Sequence, residues 1–265
     1  MRRSSGELKR QAKRNLKGRY GTVILGILAV SAFHGAGSML TSVLFPGEGT
    51  MNLVTGQLFQ FILSLVGGIL SAGCSYMLLN ISRGNPYSLQ DLLYFFRHHP
   101  DRVIVAGFVL GIINTLASIP YYYVSYTMEM GVTLEEQMAW MTTTTALLML
   151  STVLTLILTI PFSMTYFCMA DDLELTGIQG LKESCRMMRG SLLRYFGLEI
   201  SFIPLLFLSA FTLYLALLWI LPYMEMTFVC FYRDLRGELD EWPDLLQEQQ
   251  KPCEGQERDD YNSEA

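Results

Sequence analysis

The sequence predicts an all-α fold, a polytopic bundle of about six transmembrane helices. Two features of its composition favour this: 51% of the 265 residues are apolar and only 16% are charged. The mean hydropathy is +0.32, and a soluble domain carries about 25% charged residues. The third observation is a set of five long stretches without Lys or Arg. A buried soluble core is the competing interpretation, but it needs many more charged residues to cover it.

The membrane spans are predicted from those stretches, because about 20 apolar helical residues cross a hydrocarbon core of roughly 30 Å. The last stretch holds 38 residues, which is too long for one span at ordinary tilt. It predicts a hairpin of two helices that meet near residues 212–217. The five stretches cover residues 21–45, 54–82, 103–126, 143–170 and 195–232.

The basic residues predict the orientation. All 19 Lys and Arg residues precede span one, lie between spans two and three or four and five, or follow span six. The opposite loops carry only Glu48, Glu129, Glu135 and Glu136. Since short cytoplasmic loops collect Lys and Arg, both termini are predicted to be cytoplasmic. A signal peptide cleaved near residues 30–32 is the alternative, but its basic region is unusually long and five spans follow.

The predicted organisation has three parts. Residues 1–20 form a basic, cytoplasmic interfacial helix, and residues 21–235 form the six-span membrane domain. Residues 236–265 are rich in Glu, Asp and Gln. They predict a disordered, acidic cytoplasmic tail, because such a composition buries too little apolar surface to fold.

One pattern precedes spans one, three and five. A hydroxyl residue is followed three positions later by an acid or amide, which is the signature of a helix capping box. Apolar residues at helical spacing follow, so each segment predicts a short amphipathic helix lying in the headgroup layer; a basic linker is the alternative. The architecture is then three repeats of interfacial helix plus helical hairpin. The pairs are Ser4 with Glu7, Ser88 with Asp91, and Thr176 with Gln179.

The first of these helices is strongly basic and predicts contacts with anionic lipid headgroups, each cation contributing about 1 kcal/mol. The net charge of −5 argues against a nucleic-acid partner. The candidate lipid contacts are Lys9, Arg10, Lys13, Arg14, Lys17 and Arg19.

Several segments resemble a known family. They are Leu-Lys-Gly-Arg-Tyr-Gly at 16–21, Met-Arg-Gly at 188–190, Leu-Glu-Ile-Ser-Phe-Ile at 198–203 and Phe-Tyr-Arg-Asp-Leu at 231–235. Over residues 8–236 the chain resembles the uncharacterised bacterial integral-membrane family catalogued as domain of unknown function 975. More distantly, it is similar to the membrane domain of glycerophosphodiester phosphodiesterases. The resemblance implies a multi-pass protein of the bacterial cell membrane without an assigned activity, so no catalytic residue is carried over.

Polar residues within the spans form a candidate intramembrane site. An acid at a helix centre is costly, so it usually faces a partner or a watery cavity. Glu199 and Glu225 predict either a relay or polar pocket, with the acids meeting each other or Arg194, or two acids solvated near an interface. His34 and Asn114 are predicted chiefly to form hydrogen bonds between helices.

Small residues and prolines predict packing and bending of the helices. Gly107 and Gly111 form a GxxxG pattern, which permits close approach of helices within one chain or between two. Prolines at positions 120, 161, 204 and 222 are predicted to kink or break their spans.

Two classes of function stay open. We find no HExxH, phosphate-loop or GxSxG motif, so neither enzymatic activity nor a cofactor or metal is expected. The favoured function is a non-enzymatic scaffold or accessory protein in envelope or lipid homeostasis. The alternative is a small permease whose route is lined by the intramembrane polar residues. The sequence does not identify protein partners, and it leaves a homo-oligomer open.

Overall fold

The computed structural model describes residues 3–46, 49–127 and 131–239, and this part of the chain is helical and contains no strand. The predicted all-α class is confirmed. Short turns of 3-10 helix cover Leu89–Leu93 and Ile160–Phe162. The α-helices are α1 (Ser5–Leu16), α2 (Tyr20–Leu44), α3 (Thr50–Arg83), α4 (Tyr94–Arg97), α5 (Pro100–Ala117), α6 (Ile119–Thr127), α7 (Leu134–Thr159), α8 (Thr165–Asp171), α9 (Gly177–Met188), α10 (Leu192–Ile200), α11 (Ile203–Ala210) and α12 (Leu217–Leu235).

Among the described residues, five helical segments are long and apolar enough to cross a membrane. They are Tyr20–Leu44, Met51–Arg83, Pro100–Ala117, Leu134–Asp171 and Leu192–Ala210. α12 has 19 residues but carries Glu225, Arg233 and Asp234, and it is not among the five. A sixth span at α12 therefore stays a prediction.

Three of the predicted spans are interrupted near their prolines, because proline lacks the N–H of the helical hydrogen bond and clashes with the preceding turn. The third span divides at Ser118, two residues before Pro120, into α5 and α6. The fourth is interrupted at Ile160–Phe162, and the fifth divides between α10 and α11 before Pro204. Pro222 instead stays inside α12. A break between helices lies where the turn of the hairpin is predicted, since α11 ends at Ala210 and α12 begins at Leu217; the hairpin of two spans stays a prediction.

One end of the bundle, here called the α1 end, gathers α1, α9 and the C-terminal ends of α3, α8 and α12. α1 packs across α12, and its apolar residues Leu8, Ala12 and Leu16 are fully buried. Asn15 lies in the same contact, with its amide nitrogen 3.6 Å from Cys230 Sγ. The expectation that this apolar face rests on lipid is wrong for α1, because α12 covers it.

The three predicted capping boxes are all formed, and a fourth begins α7 at Thr133 and Glu136. The segment after Ser88 is a 3-10 turn followed by α4, which is shorter than the predicted amphipathic helix. α9 is amphipathic and has the predicted length, but its apolar residues Leu181 and Met188 are buried by α5 and α8 and not by lipid, as in α1.

Helices α1 and α9 end in the same way. Lys17 and Arg189 have nearly equal backbone angles, and Gly18 and Gly190 follow with φ of 78° and 79°. Glycine suits both turns because a positive φ is strained for other residues. This is a local similarity between two segments; the threefold repeat of the whole chain stays a prediction.

The chain is packed at the α1 end as far as Leu239, which is buried. Residues 240–265 of the predicted acidic tail lie outside the described residues, as do Glu48 and Glu129. Away from the α1 end, α2, α7 and α11 expose large apolar side chains. Met39, Met149 and Phe207 are each more than half exposed.

Candidate functional site

Glu199 lines an open pocket of about 380 Å³ between α5, α7 and α10. Tyr195 lines the same pocket from one turn earlier on α10, Ser163 lines it from the segment that joins α7 to α8, and Tyr166 lines it from the first turn of α8. The Ser163 hydroxyl is buried beside the Tyr195 phenol. Apolar wall residues include Leu110, Leu156, Ile160 and Phe162.

Asn114 lines this pocket from α5 and also lines a second pocket of about 270 Å³. The two pockets share Asn114 and Leu156, and the second continues between α5 and α7 past Ser118 and Ser151. The structure therefore brings two of the four predicted polar residues, Glu199 and Asn114, to one groove.

Glu225 does not line either pocket. It is within electrostatic range of the Cys74 thiol on α3 and of the Tyr195 hydroxyl. Glu199 acts on the same hydroxyl. No hydrogen bond joins the two acids to each other in the described part of the chain.

His34 lies away from the groove and packs against α3. A Cβ atom added at Gly67 would lie 2.4 Å from His34 Cε1, so glycine makes room for the imidazole. The imidazole makes an edge contact with Phe33, with ring centroids 6.0 Å apart. This position favours a packing role for His34.

Arg194 does not form an ion pair with Glu199 or Glu225, the two acids that the sequence analysis offered as its partners. Its guanidinium lies 2.5 Å from Asp234 Oδ2, and the Asp234 side chain is only 3% exposed. Arg194 also donates to the carbonyl oxygen of Arg3, which ties the start of the chain to α10 and α12.

A network of ion pairs joins the helix ends at the α1 end, and sequence reasoning missed it. Arg83 lies 2.6 Å from Asp171 and 2.5 Å from Glu238. Arg233, which is 3% exposed, lies 2.8 Å from Glu238 and donates to the Ser82 carbonyl oxygen at 2.6 Å. These contacts connect α3, α8 and α12. The one earlier signal was the clustering of Arg and Asp at the predicted ends of these spans.

The environment of Glu238 lowers the pKa of its carboxyl. Burial alone would raise this pKa, but hydrogen bonds from Arg83 and Arg233 outweigh burial and favour the charged form. Glu238 therefore stays ionised at pH values below the usual pKa of a glutamate, and its carboxylate binds both arginines.

The six basic residues predicted to contact lipid divide into two groups. Lys9 donates to the Ser201 carbonyl oxygen at 3.2 Å, and its ammonium lies 4.2 Å from the Phe202 ring centroid. Arg19 donates to the Ile81 carbonyl oxygen at 2.8 Å. The side chains of Arg10, Lys13, Arg14 and Lys17 are exposed at the surface, and among these four the Lys13 ammonium also lies 5.4 Å from the Tyr223 ring centroid.

The predicted packing glycines differ in their surroundings. A Cβ at Gly111 would lie 2.6 Å from the Phe61 ring, whereas one at Gly107 would make ordinary contacts of 3.6 Å with Leu65 and 3.9 Å with the Tyr166 hydroxyl. Only Gly111 meets a close neighbour.

Two tighter backbone approaches carry no sequence pattern that singles them out. A Cβ at Gly73 on α3 would lie 2.1 Å from the Leu92 carbonyl oxygen, and one at Gly177 on α9 would lie 2.3 Å from the Arg102 carbonyl oxygen. The described residues contain no group of three or more His, Cys, Asp or Glu placed to hold a metal ion.

The comparisons with known proteins identify a family. A family model described as "Protein of unknown function (DUF975)" matches residues 1–238, which confirms the resemblance seen in the sequence. No curated protein and no solved structure matches the chain. The more distant similarity to glycerophosphodiester phosphodiesterases therefore stays a prediction.

Proposed function

The chain belongs to the DUF975 family, and from this premise we propose that it is a multi-pass protein of the bacterial plasma membrane. In this proposal both termini are cytoplasmic. The protein acts as a non-enzymatic scaffold or accessory component in envelope or lipid homeostasis.

The observation that carries the accessory role is the separation of the polar residues. A transport route lined by intramembrane polar groups needs those groups to follow one another along one cavity. Glu199 and Asn114 share a groove, but Glu225 and His34 do not line it. The ion pairs of Arg83 and Arg233 also tie the helix ends together, which favours a fixed bundle.

The cytoplasmic placement of the termini rests on the basic residues. Those in α1 and α9 and at the ends of α3, α5, α10 and α12 meet at the α1 end, as the positive-inside rule requires of a cytoplasmic face. An impermeant thiol reagent is expected to label Cys253 in inverted membrane vesicles but not in intact cells, and Cys253→Ser supplies the background. Labelling of Cys253 in intact cells would reverse the orientation.

The exposed cations of α1 are proposed to contact anionic lipid headgroups. Replacing Arg10, Lys13, Arg14 and Lys17 by Gln removes four surface charges, each contributing about 1 kcal/mol. The retention of anionic lipid by the purified protein is expected to fall, with salt reducing the difference. The paired Lys9→Gln and Arg19→Gln variant, which changes cations held by the protein, is the control. An equal loss of lipid retention in the two variants would contradict the division of the cations into surface-exposed and protein-bound groups.

The accessory role is tested in vesicles that contain the purified full chain. Proton and solute flux is expected to equal that of protein-free vesicles, and Glu225→Gln is expected to change nothing. A flux that depends on the protein and disappears in the Glu225→Gln variant would contradict the accessory role.

A permease is the second candidate, and the groove between α5 and α7 favours it. The two pockets that meet at Asn114 extend from Glu199 to Tyr121, and Ser and Thr line part of their walls. In this case Asn114→Leu is expected to abolish flux through the vesicles, whereas the exposed apolar change Met149→Leu on α7 is expected to leave flux unchanged.

A further inference from the structure

In the described part of the chain, the Glu199 carboxyl has no cation partner. No Lys, Arg or His of the described ranges forms an ion pair with it, and the neighbouring cation Arg194 pairs with Asp234. A lone carboxylate in an apolar setting loses its hydration without compensation, so such groups are paired or neutralised. The open pocket at Glu199 has room for a cation that the described residues do not supply.

The other residues that line the pocket indicate the chemical class of this cation. The Tyr195, Tyr166 and Asn114 side chains line the same pocket, and its lining contains no Lys, Arg or His. These groups accept hydrogen bonds from an ammonium, whereas a phosphate would find no positive partner and would be repelled by Glu199. The lining therefore favours an ammonium group over a phosphate.

The apolar wall of the pocket and the direction in which the pocket runs indicate the chemistry of the rest of the ligand. Leu110, Leu156, Ile160 and Phe162 line the pocket beyond Glu199. Glu199 is two turns from the start of α10 at the α1 end, whereas Asn114 lies about 18 Å along α5 from Arg102 at 1.5 Å per residue. The pocket thus descends from near one bilayer surface towards the middle of the spans. This direction suits an alkyl chain whose polar head stays near the surface.

We infer that the Glu199 pocket binds a membrane amphiphile that carries a single ammonium group and no phosphate. The ammonium pairs with Glu199 and donates to the tyrosine hydroxyls, and the alkyl chain lies along α5 and α7. A volume of about 380 Å³ is within the range of small-ligand pockets. This site goes beyond the proposed accessory role and shares with it only the location of these helices in a bilayer.

The test is native mass spectrometry of the full chain in a non-ionic detergent, titrated with decylamine, decanol and decyl phosphate. Decylamine is expected to bind at least tenfold more tightly than either other probe. Glu199→Gln is expected to remove this preference. Glu225→Gln, which changes an acid outside the pocket, is expected to keep it.

A second variant protects the test against a folding defect in Glu199→Gln. A Cβ at Gly107 makes only ordinary contacts, so Gly107→Leu directs a larger side chain into the pocket while Glu199 remains. It is expected to weaken decylamine binding at least tenfold, and its thermal unfolding reports whether it is folded. Equal binding of the three probes, or a preference that survives in Glu199→Gln, overturns the inference. Neither result bears on the vesicle flux by which the accessory role is tested.

Discussion

The two ends of the bundle are held together by different means. At the α1 end, α1 lies on α12, and partly buried ion pairs of Arg83, Arg194 and Arg233 connect helices that are distant in sequence. Towards the other end, α2, α7 and α11 turn apolar side chains outwards, with Met39 and Phe207 more than half exposed. One end is stabilised by the protein's own contacts, and the other requires an apolar solvent.

This difference indicates where substitutions matter. In lipid there is no hydrophobic drive between apolar helices, so close packing and polar contacts carry their association. The α1 end has both kinds of contact. We therefore expect the largest losses of stability from changes there, measured as the free energy of unfolding of the purified protein in detergent.

Removal of Arg233 is expected to have the largest effect. Arg233→Ala leaves Glu238 without one of its two arginines and the Ser82 carbonyl oxygen without its donor. Arg233 is 3% exposed and Glu238 is 26% exposed, so we expect a loss of about 3 kcal/mol, the lower end of the range for breaking a buried pair. The control is Arg186→Ala, since Arg186 pairs with Glu183 but is 77% exposed; this change should cost about 0–1 kcal/mol. Equal losses would contradict the importance of burial at this end.

A methyl group added at Gly73 is expected to cause the second-largest loss of stability. The added Cβ in Gly73→Ala would lie 2.1 Å from a backbone oxygen, which cannot move as a side chain can, and such overpacking costs about 1–3 kcal/mol. Gly107→Ala is the matched control and is expected to cost nothing, because its Cβ meets only ordinary contacts. A greater loss in Gly107→Ala would restore the predicted importance of the GxxxG pattern.

The smallest effect is expected from Glu238, and it depends on pH. Hydrogen bonds from Arg83 and Arg233 lower the pKa of this carboxyl from its usual value of 4.5, although burial opposes them. Its contribution to stability is present above pH 4.5 and is lost as the pH falls through the lowered pKa. Glu238→Gln should therefore cost about 1–2 kcal/mol at pH 7, and this difference should shrink below pH 4.5. A difference that stays constant down to pH 3 would contradict this role.

Local features were predictable from the sequence. The capping boxes at Ser4, Ser88 and Thr176 depend on residues three positions apart, and all three are formed. The break between helices from Ala210 to Leu217 follows from the length of one apolar stretch and the thickness of a bilayer. Such features need no knowledge of how distant segments pack.

Long-range features were not predictable. The amphipathic pattern of α1 identifies its apolar face but not whether lipid or α12 covers it. The sequence placed Arg194 near Glu199 and Glu225, yet it pairs with Asp234, because the choice among nearby acids depends on the packing of α10 against α12. Gly73 has no pattern around it, since its neighbour Leu92 belongs to another helical segment.

Half of the candidate site followed from the sequence. Glu199 and Asn114 stood out as polar residues in apolar stretches, and they meet in one groove. Tyr166, Tyr195 and Ser163 did not stand out, because tyrosine and serine are unremarkable near the end of a span. Only the bends around Pro161 and the orientation of α10 bring them together.

The contact between α1 and α12 sets an order of events during synthesis. The first helix leaves the ribosome long before the last one, so Leu8, Ala12 and Leu16 have no protein partner while the intervening spans are inserted. During that interval the headgroup layer is the natural resting place for this helix, with its apolar side towards lipid. Assembly then brings this helix from the membrane surface onto α12.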